Sequence, residues 1–114
     1  IFQILGCGTS TGVPIPGCKC KVCTSTNPRN NRTRTSALIR VHDAYNIVID
    51  TTTDFRYQAL RWNVNCVNAV LYTHAHADHI LGMDDLRGYN FIQRTQIPCY
   101  GTPGTLKEIK RCFS

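Results

Sequence analysis

Residues 71–85, LYTHAHADHILGMDD, are the stretch on which the predicted fold and chemistry depend. Three of the chain's four histidines, His74, His76 and His79, fall within six positions here, with Asp78 directly before the last. Residues two apart in an extended chain point the same way, so the first two imidazoles can bind one ion together. Asp78 and His79 follow where the chain turns into a helix, and they suit a second ion beside the first. Nitrogen and carboxylate ligands of this kind fit zinc, manganese or iron.

The segments before this motif predict where it lies in a sheet. AVLYT (69–73) predicts a buried strand, YNIVID (45–50) an earlier strand, and DFRYQALRW (54–62) a helix between them that Thr53 caps. Such a crossover implies neighbouring parallel strands, whose carboxyl ends carry ligands in α/β sheets. Asp50 ends the first strand, so we expect it to hydrogen-bond a ligand histidine or a backbone group of the metal loop. A carboxylate that only caps the strand end is the alternative.

Other segments predict the rest of the architecture. His42 lies in a short polar interval between two β-branched runs, which is typical of the turn of a hairpin. Further strands and helices are predicted at FQIL (2–5), SALIRV (36–41), the segment ADHILGMDDLRG (77–88), IPCY (97–100) and a final helix that Thr102 and Pro103 open.

The composition suits one compact soluble domain over residues 1–114, because 42% of the residues are hydrophobic and 18% are charged. No apolar run reaches the length of a membrane span and nothing at the start resembles a signal peptide, so we expect a cytoplasmic protein without a membrane partner. The net charge is +6, and Arg29, Arg32 and Arg34 lie close together. They predict either a solvated loop or a patch for phosphate-bearing ligands; charge alone does not favour nucleic acid.

Three of the seven cysteines form a Cys-x-Cys-x-x-Cys pattern at Cys18, Cys20 and Cys23. A loop can wrap three such thiolates around one tetrahedral zinc ion, which needs a fourth ligand from elsewhere. The alternative is three unrelated reduced thiols. With no secretory signal, structural zinc is favoured over a disulfide scaffold.

The histidine motif resembles the signature of the metallo-β-lactamase superfamily, whose members are mostly hydrolases. The resemblance implies an α+β fold, an αββα sandwich with a two-metal site at one edge of its sheets. It assigns His74 and His76 to the first metal, and Asp78 and His79 to the second, with zinc or manganese as the ions. The oxygen-reducing di-iron branch of the superfamily carries Glu at the second position, so His76 favours hydrolysis.

The wider pattern resembles a branch that includes the phosphoribosyl 1,2-cyclic phosphodiesterases, in which three cysteines hold a structural zinc with a distant histidine. The resemblance implies a phosphodiesterase acting on a small cyclic phosphate or nucleotide-like ester through a metal-bridged hydroxide, with Asp78 as its catalytic carboxylate. The alternatives are a tRNA 3′-processing endonuclease and a non-catalytic zinc-binding accessory protein in biosynthesis. The resemblance rests on LGCGTSTGVP, GCKCKVC, IDTTTDFR, THAHADH and GMDDLR.

Two residues are candidates for substrate contact. Arg87, just past the metal loop, could bind a phosphate bidentately, or it could pair with a neighbouring aspartate. Thr9 lies in a glycine-rich segment that either presents N–H groups to phosphate or shapes a turn. No histidine follows His79, although the superfamily's domain brings further ligands from its second half. We therefore expect the chain to be the N-terminal half of that domain, with exposed apolar surface that invites association, such as a homodimer.

Overall fold

The computed structural model describes residues 1–42 and 44–113, and its framework is one five-stranded sheet with the order β1-β2-β3-β4-β5. The first three strands are antiparallel neighbours, and the last three are parallel neighbours. The strands are β1 (Phe2–Gly6), β2 (Ser36–Val41), β3 (Tyr45–Ile49), β4 (Ala69–Leu71) and β5 (Cys99–Tyr100).

Within residues 1–42 and 44–113, four α-helices accompany the sheet. Two short 3-10 helices, Pro28–Asn30 and Leu81–Leu86, add to them. Within the residues that the structure describes, no helix combines the length and the apolarity that crossing a bilayer requires. The α-helices are α1 (Phe55–Arg61), α2 (Ala77–Ile80), α3 (Arg87–Gln93) and α4 (Pro103–Cys112).

The predicted hairpin and crossover are both confirmed. Strands β2 and β3 pair in antiparallel register, and His42 has the positive φ of 57° that a tight turn requires; Asp43 lies outside the described residues. Strands β3 and β4 are parallel neighbours joined through α1, with Ile49 opposite Leu71. The Asp50 N–H continues this ladder by donating to the Leu71 carbonyl at 2.9 Å. The carboxyl ends of the two strands therefore meet at one edge.

The sheet buries one face and leaves the other largely open. Leu38, Val48 and Val70 are 0% exposed on the face that the helices cover. Burial of each side chain of this kind contributes about 1.5–3 kcal/mol. On the opposite face Phe2 is 60% exposed and Ile4 is 53% exposed. This apolar open face is the surface that the sequence analysis expects of a half-domain.

The start of α1 differs from the prediction. The helix N-cap is Asp54 rather than Thr53, and the Asp54 side chain makes no capping hydrogen bond. Its carboxylate instead accepts from the backbone N–H of Arg34 at 2.9 Å and from Nη1 of Arg34 at 3.1 Å. The Asp54 carboxylate thus binds Arg34, which is distant in the sequence, rather than the free N–H groups at the start of α1. A charge-assisted hydrogen bond is the stronger of these two interactions. Arg34 is thereby removed from the predicted patch of free arginines.

Candidate metal centres

The first candidate centre, the histidine cluster, consists of His74, His76, Asp78 and His79 at the carboxyl end of β4. The ring centroids of His74 and His76 lie 4.5 Å apart, and those of His74 and His79 lie 4.1 Å apart. His76 is the extended N-cap of α2, whereas Asp78 and His79 are inside that helix. The chain thus switches from extended to helical within the motif, which is what brings three imidazoles together.

Asp50 anchors this cluster from the neighbouring strand end. It is 3% exposed. Its Oδ1 accepts the backbone N–H of Thr73 at 2.8 Å, and its Oδ2 accepts the Thr73 hydroxyl at 2.6 Å. Its Oδ2 also lies 2.8 Å from Nδ1 of His79. One buried carboxylate therefore contacts both a cluster histidine and the backbone of the loop that carries it.

These contacts determine which nitrogens of two histidines are free. A carboxylate only accepts hydrogen bonds, so Nδ1 of His79 carries the hydrogen. The Thr73 hydroxyl uses its single hydrogen on Asp50 and therefore accepts from Nδ1 of His74, 2.8 Å away. Nδ1 of both rings is therefore occupied within the protein, and Nε2 is the nitrogen of each neutral imidazole that could bind a metal.

The donor set fits a divalent metal. Asp50, His74 and His79 each offer a ligand atom, and these atoms lie within 4.8 Å of one another. The Asp50 oxygens are already occupied by three donors, however, so we assign Asp50 to orientation of the imidazoles rather than to direct ligation. Oδ2 of Asp78 lies 3.2 Å from Nε2 of His79, a separation that two ligands of one cation can share. Asp78 therefore offers a second carboxylate beside the group formed by Asp50, His74 and His79.

Buried residues that were not predicted from the sequence pack against the loop that carries the histidines. Thr51 and Thr52 are 0% exposed, and the Thr51 hydroxyl lies 2.8 Å from that of Tyr72. The N–H of Gly82 donates to the Thr51 carbonyl at 3.0 Å, and a Cβ at Gly82 would lie 1.9 Å from the Thr52 carbonyl oxygen. Only glycine allows this approach. Neither Gly82 nor Thr73 belongs to the ligand pattern. The one sequence signal for their roles is that both lie close to the histidine motif.

The second candidate centre, the cysteine cluster, consists of Cys18, Cys20 and Cys23, whose sulfur atoms lie within 4.8 Å of one another. Sγ of Cys20 accepts the backbone N–H of Cys23, and Sγ of Cys23 accepts that of Ile15, each at 3.4 Å. Three convergent sulfurs with backbone donors are a set that suits zinc. Among the described residues this group contains three donors, one fewer than a closed tetrahedral site needs.

The environment of the sulfurs differs within the cysteine cluster. The Cys23 N–H lowers the pKa of Cys20 to about 7, because this donor stabilises the thiolate. The pKa of Cys23 is raised, although the Ile15 N–H favours its thiolate, because desolvation and the Cys18 and Cys20 sulfurs oppose further negative charge. Cys20 is therefore the first of the two to become a thiolate, which is the form that binds zinc.

The two candidate substrate residues have structural partners. Nη2 of Arg87 donates to Oδ2 of Asp84 at 2.9 Å, which is the pairing that the sequence left open. Arg87 lines a cavity of about 560 Å³ between α1 and α3, away from the cavity that Asp50 and His79 line. The Thr9 carbonyl accepts the N–H of Gly12 at 2.8 Å, so this segment forms a turn.

Comparisons with known proteins define the class. Residues 45–114, more than half of the chain, match the family described as the beta-lactamase superfamily domain. The chain belongs to this superfamily, and its mixed α+β sheet is part of the metallo-β-lactamase fold.

The chain is similar over nearly all of its length to solved members of the fold. A diphosphatase of the PhnP family is 43% identical with a TM-score of 0.92, covering 98% of this chain and 45% of that one. Zinc-bound PqqB from Methylobacterium extorquens is 24% identical with a TM-score of 0.82, covering 96% of this chain and 40% of that one. The chain therefore spans less than half of each solved structure.

One curated protein is also similar. An octanoyltransferase of Porphyromonas gingivalis is 52% identical over 84 residues, which are 74% of this chain and 17% of that protein. The matched part is a small fraction of the relative, so its name describes a protein that lies mostly outside the match.

Proposed function

We propose that the protein to which this chain belongs is a metal-dependent phosphodiesterase, acting on a small cyclic phosphate or a nucleotide-like ester at the histidine cluster. The hydrogen-bond chain from Asp50 carries the proposal, because it occupies Nδ1 of both His74 and His79 and so makes Nε2 the nitrogen that would bind a metal. Polar support of this kind is what metal-ligating histidines require. The similarity to a diphosphatase supports phosphate as the group acted upon.

Two divalent ions, zinc or manganese, would supply an activated water and a positive field for the phosphate oxygens. His74 and His76 would hold one ion, and Asp78 and His79 the other. Asp50 and Thr73 keep the imidazoles of His79 and His74 in one orientation through their Nδ1 atoms. Asp78 would orient the attacking water through a carboxylate oxygen and accept its proton there.

The cysteine cluster would hold a separate zinc with a structural role. Its three sulfurs come from one exposed loop, and backbone N–H groups already donate to two of them. Zinc bound there would fix the loop that follows the glycine-rich turn. The match to an octanoyltransferase adds no acyl-transfer proposal, since it covers 17% of that protein.

The test uses the full-length protein with zinc or manganese, a bis-aryl phosphodiester and 2′,3′-cyclic nucleotides. His76→Ala is expected to lower kcat/KM by about 100-fold or more, because loss of a ligand should weaken the site at least as much as loss of a supporting group. His42→Ala is the matched control, because His42 lies in the hairpin turn. Its kcat/KM is expected to equal that of the original protein. Absence of turnover with either metal would instead favour the non-catalytic accessory protein.

A further inference from the structure

Helix α3 turns polar side chains toward the protein and leaves apolar ones in solvent. Gln93 is partly buried, and its amide group accepts the Val67 N–H at 2.7 Å and donates to the Val67 carbonyl at 2.8 Å. The Tyr89 hydroxyl donates to a backbone carbonyl of the loop after α1 at 2.6 Å. These hydrogen bonds fix the rotation of α3 about its axis. Phe91 and Ile92 lie outside them and are 84% and 77% exposed.

The exposed apolar residues of α3 adjoin the cavity of about 560 Å³ between α1 and α3. Phe91 lines this cavity, and so does Leu60 of α1, which is 62% exposed. Ile92 lies one helical turn after Gly88, which also lines the cavity. Single exposed apolar side chains are ordinary, whereas several beside one cavity with a polar rim mark a site of association. We call Leu60, Phe91, Ile92 and this cavity the helix face.

The missing half of the domain does not account for the helix face. Phe55 of α1 and Tyr89 of α3 pack against the core that includes Val48, on the covered side of the sheet. Phe2 and Ile4 are exposed on the opposite side. In an αββα sandwich the second sheet packs against the open side of the first, and the helices form the outer layers. The helix face therefore lies on the outer side of the domain.

The charges around the helix face are complementary to one another. The cavity is lined by two arginines and two aspartates, Arg56, Asp84, Asp85 and Arg87. Arg87 and Asp84 pair with each other at 2.9 Å, whereas Arg56 and Asp85 make no ion pair within residues 1–42 and 44–113. A two-fold axis sets a surface against its own copy, so Arg56 of one copy can meet Asp85 of the other, twice. A partner of a single charge sign would satisfy only one of these two groups.

We propose that the helix face is the interface of a homodimer with a two-fold axis. Leu60, Phe91 and Ile92 of each copy pack against the cavity of the other copy, and two pairs of Arg56 with Asp85 close the rim. An apolar centre inside a polar rim is the usual construction of a protein interface. None of these residues belongs to either candidate metal centre, so the interface does not rest on the proposed function.

The first test measures the mass of the full-length protein by analytical ultracentrifugation over a range of protein concentrations. The unaltered protein is expected to sediment as a dimer. Phe91→Glu places two like charges at the centre of the interface, and dimerisation is expected to weaken about 100-fold. Tyr57→Glu is the matched control, because Tyr57 is a 56% exposed aromatic residue of α1 that does not line the cavity. It should remain a dimer.

The second test exchanges the charges of the rim. Arg56→Asp and Asp85→Arg each set like charges against one another across the axis, so each should weaken dimerisation about 10-fold. The double variant Arg56→Asp/Asp85→Arg re-forms both pairs with reversed sign and should dimerise within about threefold of the unaltered protein. All four side chains changed in the two tests are exposed, and circular dichroism checks that each variant is folded.

Three outcomes would overturn the interface. They are a full-length protein that is monomeric at every concentration, a dimer that Phe91→Glu leaves intact, and a double variant that dimerises no better than the two single variants. Loss of dimerisation in Tyr57→Glu as well would also contradict it, because the association would then not be specific to the helix face.

Discussion

The two candidate metal centres are built in opposite ways. The cysteine cluster takes its three ligands from six consecutive positions of one loop, and Cys20 in it is exposed. The histidine cluster depends on Asp50, a carboxylate 29 positions away from His79 and almost fully buried. The first can therefore form wherever its loop can close. The second requires that β3 and β4 lie side by side.

This difference predicts which substitutions should disturb each of the two centres. Substitutions in the sheet edge beneath the histidines should disturb their cluster strongly, because its geometry is inherited from the strands. Substitutions in the cysteine loop should act locally. The expected effects at the histidine cluster decrease in the following order.

Asp50→Ala should have the largest effect. It leaves three donors in a buried position without their acceptor, which we expect to lower the free energy of unfolding by about 4 kcal/mol. Metal affinity at the histidine cluster should fall about 10- to 100-fold. Urea unfolding and calorimetric metal titration of the full-length protein measure these quantities. Unchanged metal affinity would show that the imidazoles are oriented without Asp50.

Gly82→Ala should come second. The added Cβ meets the Thr52 carbonyl oxygen at 1.9 Å, so the backbone beneath the histidine loop must shift. A loss of about 3 kcal/mol in the free energy of unfolding is expected. Gly88→Ala in α3 is the matched control, because its Cβ would meet nothing within 4 Å. The control should be neutral or more stable by about 0.5–1 kcal/mol; equal destabilisation of both variants would contradict the role of Gly82.

Cys20→Ser should affect the histidine cluster little while emptying the other centre. One zinc per protein should be lost by elemental analysis, because a tetrahedral site needs every thiolate. Phosphodiester turnover is expected to change less than about twofold, given the local construction of the loop. Cys112→Ser, at the end of α4, should lose no zinc. Full retention of zinc by Cys20→Ser would mean that the three sulfurs do not form a site.

Arg87→Ala should have the smallest effect. The ion pair with Asp84 joins two exposed side chains, and such pairs contribute about 0–1 kcal/mol. Stability by urea unfolding and KM for a phosphodiester should both stay near the original values. A tenfold rise in KM would instead indicate that Arg87 contacts the phosphate of the substrate.

The predictions from sequence succeeded where chemistry and short spacing sufficed. The strand–helix–strand crossover put Asp50 beside the histidine loop, and the hairpin followed from two β-branched runs. The predicted Thr53 cap was wrong: Asp54 occupies the N-cap position, and its carboxylate pairs with Arg34 from a distant segment instead of making a capping hydrogen bond. The roles of Thr73 and Gly82 were not predicted, since a hydroxyl relay and a backbone contact leave no spacing pattern in one sequence.

The sequence by itself determined which donor atoms are available: imidazoles at alternate positions before a helix, thiolates in a short loop, and a first segment without acidic residues. Side-chain chemistry and local backbone period are properties of the chain, so they can be inferred from it. Only the tertiary structure decided that Asp50 contacts Nδ1 of His79 directly and Nδ1 of His74 through Thr73. It also decided that Arg34 pairs with a carboxylate, whereas Arg29, Arg32 and Arg61 make no ion pair within the described residues. Those outcomes depend on which side chains, distant in the sequence, lie next to one another, and the packing of the whole sheet determines this.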